Sequence, residues 1–151
     1  MLQPEPDTHC HRNMIYDATE LNEEHRETIR EELGAPNDMR ESLTEGGVRS
    51  GWISVLEVSN GFLRPDHLQT ENHHARIELR PTGLLLTLSA GDESFVWSVP
   101  YHRLAVYRTE GIALHSDGEF IRMDMSRDDD KAFLQKVQDR RNEYLEQFSY
   151  R

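Results

Sequence analysis

Histidines, one cysteine and a run of three aspartates are the residues of this 151-residue chain with the most evident capacity for chemistry. Thr8-His9-Cys10-His11 offers imidazole and thiolate, good ligands for zinc or copper. A structural site takes four ligands, however, and this spacing matches no ligand motif, so the triplet reads as opportunistic metal binding in a tail. His67, His73, His74, His102 and His115 are spread along the chain. His73 and His74 are adjacent, and neighbours in a strand point to opposite faces, so they cannot both reach one metal ion. Asp128-Asp129-Asp130 lacks the spaced loop and distal glutamate of a calcium site, whereas an acidic run suits the positive end of a helix. There is no His-Glu-x-x-His, Gly-rich phosphate loop, Gly-x-Ser-x-Gly elbow or Cys-x-x-Cys pair. The sequence therefore assigns no catalytic residue, no metal ligand and no cofactor.

Composition narrows the partners. Seventeen basic residues against 28 acidic ones give a formal net charge of −11, which repels a phosphate backbone and disfavours docking on anionic lipid. The expected partner is another protein or a second copy of this chain, with no nucleic acid and no strong membrane binding; any small ligand is left unnamed. Cys10 is the only cysteine, so no intrachain disulfide can form. The first ten residues, MLQPEPDTHC, have neither a basic nor an apolar signal region, and no apolar run approaches the ~20 residues of a membrane span. A cytoplasmic protein is expected.

The elements that must position any site follow from periodicity. Residues 1–16 are polar and aperiodic and read as a flexible tail. Residues 17–46 read as a helical extension. Asp17 to Gly34 is capped by Asp17 or Thr19, with an apolar stripe of Leu21, Ile29 and Leu33 and with His25 as a packing residue; a short second helix follows over 38–45. Alternating apolar residues then predict seven strands near 52–58, 74–80, 84–89, 94–99, 103–108, 111–116 and 119–125. In the first, Trp52, Leu56 and Val58 fall on one face and Ile53 and Val55 on the other. In the fourth, Phe95, Trp97 and Val99 form the one buried face. Asp117-Gly118 is the dipeptide of a type I′ hairpin. Ser126-Arg127-Asp128-Asp129 reads as a capping box opening a last helix, whose apolar face holds Phe133, Leu134, Val137, Tyr144, Leu145 and Phe148.

Seven strands followed by one helix, with Val99-Pro100-Tyr101 ahead of the apolar pair Leu104 and Val106, resembles bacterial pleckstrin-homology-like (PH-like) domains over residues 50–148. The resemblance implies an α+β, mainly β fold, a partly open antiparallel barrel of two nearly orthogonal sheets closed by the final helix. It also implies a non-catalytic binding or self-assembly module. The first strand lacks the basic residues of lipid-binding members, which removes phosphoinositide from the expectation. Twelve residues from Gly61 to Asn72 make a connection longer than a hairpin needs. Trp52, Phe62, Leu63, Arg64 and His67 are accordingly the expected partner-binding residues. The alternative is a small-molecule- or metal-binding enzyme using the barrel mouth, with His67, His73 or His102 as its polar groups.

Overall fold

A computed structural model describes residues 15–36, 48–59, 61–62 and 73–148. The expected second helix over 38–45, most of the tail and most of the Gly61 to Asn72 connection lie outside them. In chain order the elements are β1 (Ile15–Asp17), α1 (Glu23–Leu33), β2 (Ile53–Val58), β3 (His73–Arg80), β4 (Gly83–Ala90) and β5 (Glu93–Pro100), then β6 (Ala105–Thr109), β7 (Gly111–Ser116), β8 (Glu119–Met123) and α2 (Asp128–Glu146). The fold is α+β and mainly β, an antiparallel sheet with a C-terminal helix. Its strand order is β1-β5-β4-β3-β2-β8-β7-β6, so the described residues form eight strands where the sequence predicts seven. The extra one is β1, whose Ile15 and Asp17 pair with Trp97 and Phe95. Pairing thus begins inside the span expected to be tail.

Short turns set the registers. Arg80 pairs with Gly83 and Ala90 with Glu93, so two-residue turns link β3 to β4 and β4 to β5. At the β7–β8 turn, Asp117 and Gly118 have φ of 54° and 86°, the left-handed pair a type I′ turn requires. Because side chains alternate with period two, these registers align apolar rows across three strands: Ala75-Leu88-Phe95, Ile77-Leu86-Trp97 and Leu79-Leu84-Val99. Ile112 and Leu114 line up with Met123 and Ile121 in the other half. All of these residues are buried in one core, together with Phe133, Leu134 and Val137 of α2.

One strand joins the two halves. Ile53 and Ser54 of β2 pair with Ala75 and His74 of β3, while Val55, Glu57 and Val58 pair with Met123, Arg122 and Ile121 of β8. The register shifts between Val55 and Glu57, and a bulge places one extra residue on the outer side. Leu56 and Glu57 are therefore both exposed, and Val58 returns to the interior with Ile53 and Val55. This corrects the expected faces of the strand, which strict alternation had put the other way for Val58.

Helix α2 also departs from expectation. It starts at Asp128 with Arg127 as an N-cap that makes no side-chain cap bond, so the predicted Ser126 box does not form. Asp130 is buried, and Arg127 Nε donates to its carboxylate at 3.3 Å. The first half of the expected apolar face is buried in the core, and the second half packs against its edge through Tyr144. Tyr144 rests against Tyr101 at 5.9 Å, and Phe148 touches Tyr144 at 5.2 Å while remaining 55 % exposed.

The N-terminal segment is integrated into the fold. Asp17 caps a 3-10 turn over 18–20, and α1 begins only at Glu23. Its cap is Asn22, whose side chain accepts from His25 N at 2.8 Å while His25 Nδ1 accepts from Asn22 N at 3.4 Å. His25 is thus a capping residue that also packs on Tyr16. Ile29 and Leu33 bury against Val96 on the outer side of β5, with Leu21 and Leu85 beside them. Strand β5 is consequently buried on both faces, not one. The helix C-terminus is bound to the β3–β4 turn: Thr82 N and Oγ1 donate to the carbonyls of Leu33 and Glu32, and Arg80 Nη1 donates to that of Gly34. These bonds satisfy carbonyls that a helix end leaves open.

Candidate binding surface

Residues 48–50 run beside β3 before β2 begins. Leu79 N donates to Val48 O at 2.7 Å and Ser50 N to Ile77 O at 2.8 Å. The Ser50 hydroxyl then accepts from Ile77 N at 3.0 Å and donates to the Gly51 carbonyl at 2.7 Å, so a side chain takes over where the backbone ladder breaks. The break turns Trp52 outward, ahead of the first core residue, Ile53. Trp52 is 43 % exposed, and the Arg76 guanidinium lies over its ring at 4.4 Å. An exposed pair of this kind is worth ~0.5–1 kcal/mol and holds a large apolar surface in one orientation. Beside it Arg49 faces Glu78 at 3.8 Å, and Arg49, Trp52, Arg76, Glu78 and Thr87 line a shallow cleft of about 260 Å³.

Two of the expected partner-binding residues are described, and of these Trp52 lies at the surface. Phe62 is 2 % exposed and meets the Trp97 ring edge-on at 5.0 Å, so it is a core residue and not a contact residue. A connection longer than a hairpin needs suggested a contact loop there, and only the tertiary fold brings Trp97 of β5 against Phe62. Leu63, Arg64 and His67 lie outside the described residues, as do His9, Cys10 and His11.

The described histidines do not converge. His73 is buried at the start of β3, opposite Ala90, and His102 follows the end of β5, near Gly83. Strands β3 to β5 are eight residues long, so these two histidines sit at opposite ends of the sheet, on the order of 20 Å apart. His74 points to the outer side. His115 stacks on Phe120 at 5.2 Å and meets Tyr107 edge-on at 4.9 Å on the outer face of β6 to β8. Among the described residues, no group of three or more His, Cys, Asp or Glu side chains could hold a metal ion.

Sequence reading missed Arg76. Its partnership with Trp52 depends on β2 lying against β3, and no local spacing encodes that. The Tyr107, His115 and Phe120 group was missed for the same reason: its members come from three strands brought into register by two hairpins. No protein-family model, curated protein or solved structure matches the chain. Among the described residues no helix is long and apolar enough to cross a membrane.

Proposed function

We propose that this chain is a non-catalytic binding or self-assembly module of PH-like architecture that engages a protein partner, or a second copy, through the surface around Trp52. The architecture is supported by two antiparallel meanders joined through the shared strand β2, with α2 packed across their common core. The observation that carries the function is the exposed Trp52 ring held by Arg76 beside a shallow cleft. Tryptophan and arginine dominate the energetics of protein contacts, and a ring already oriented loses little entropy on docking. Net charge and Trp52 placement favour a protein partner over a polyanion.

The test is light scattering coupled to size exclusion, with a pull-down, on the natural chain and on Trp52→Ala and Arg76→Ala. Association or capture that weakens at least tenfold in both variants supports the reading. A strict monomer that captures nothing, or variants that behave as the natural chain does, sinks it.

A further inference from the structure

A second cavity, of about 290 Å³, opens between α1 and the outer face of β4 and β5. Its floor is apolar, with Leu85 and Val96 from the sheet and Leu21 and Ile29 from the α1 side. Its rim carries Arg26, Arg30 and Arg80. Three arginines lining one apolar cavity stand out on a chain of net charge −11. Arg80 is only 8 % exposed and is fixed by two bonds, Nε to Glu78 at 2.9 Å and Nη1 to the Gly34 carbonyl at 2.8 Å. Arg30 faces Glu27 at 3.4 Å. Arg26 makes no ion pair among the described residues. Among the described residues two of the three cations are thus already matched by carboxylates, and the charge of Arg26 is left beside the apolar lining.

We infer that this cavity binds a small monocarboxylate with a compact apolar body. One residual positive charge suits a monoanion, and the aliphatic floor suits a hydrocarbon body that neither acetate nor inorganic phosphate would supply. The volume equals roughly ten waters at ~30 Å³ each, the size of a ligand of about ten heavy atoms. This site is separate from the Trp52 surface, and its occupancy does not depend on the function proposed there.

Octanoate serves as the probe, in a two-dimensional amide NMR titration of the full chain, with acetate and 1-octanol as the head alone and the body alone. The expected result is saturable octanoate binding with shifts centred on Ile29, Leu85 and Val96, and with acetate and octanol each at least tenfold weaker. The variant Arg26→Gln/Arg30→Gln should bind octanoate roughly tenfold more weakly, as losing a charge-assisted bond implies. Both side chains are exposed, and Arg26→Gln alone, which breaks no ion pair, should already lose about threefold. Absence of saturation, shifts centred elsewhere, equal binding of acetate or octanol, or an affinity unchanged in both variants overturns the inference.

Discussion

Leu33, the last residue of α1, closes over Gly83 at the start of β4 so tightly that a β-carbon there would lie 2.5 Å from Leu33 Cδ2. The Val99 carbonyl crowds the same position from β5. Leu33 can shift, but a paired strand carbonyl cannot, so Gly83→Ala should cost on the order of 1–3 kcal/mol as overpacking. Urea denaturation reads this as a lower midpoint at constant slope. Adding Leu33→Ala should lower the midpoint further, because Leu33 is itself buried against Val96 and its truncation leaves a cavity; a neutral Gly83→Ala would contradict the packing of α1 on the sheet.

Tyr101 gives a prediction at high pH. Its phenol is buried and donates to the Arg80 carbonyl at 3.2 Å. Burial pushes its pKa up to about 12, against an opposing pull from Arg140 and a smaller push from Glu143. Below pH ~10 the phenol is protonated whether the chain is folded or not, and stability does not depend on it. Between about 10 and 12 the unfolded chain releases this proton and the folded chain retains it, so stability falls with rising pH by up to roughly 2–3 kcal/mol. Ultraviolet titration should show the Tyr101 phenol ionising late. Tyr101→Phe should remove that late step and flatten the alkaline decline.

Two aromatic residues near β2 should behave in opposite ways. Phe62→Ala removes a side chain packed on Trp97 and should cost about 3–5 kcal/mol of stability. Trp52→Ala removes an exposed ring and should cost no more than ~1 kcal/mol while weakening association. Thermal unfolding and size exclusion on the two variants separate these outcomes; a destabilised Trp52→Ala with a stable Phe62→Ala would reverse the assignment.

Deletion of residues 1–46 removes β1 from the edge of β5 and α1 from Val96 and Leu85. The uncovered apolar face and open edge should lower the melting temperature and raise self-association, because unpaired strand edges template pairing with other chains. An unchanged melting temperature with unchanged association would mean that the N-terminal segment contributes nothing to the sheet.

By itself the sequence determined the local elements. Period-two alternation from Ala75 to Met123 placed six of the strands, Asp117-Gly118 fixed the β7–β8 turn, and 3.6-residue spacing from Phe133 to Val137 oriented α2. Each of these signals acts between residues a few positions apart. The tertiary structure alone decided which surfaces were covered: Phe62 inside against Trp97, Val96 under α1, Trp52 outside beside Arg76, and three arginines around one cavity. Those outcomes depend on contacts between residues tens of positions apart. A β-bulge or a docked helix then reverses which side of a strand meets water without changing the apolar pattern along the chain.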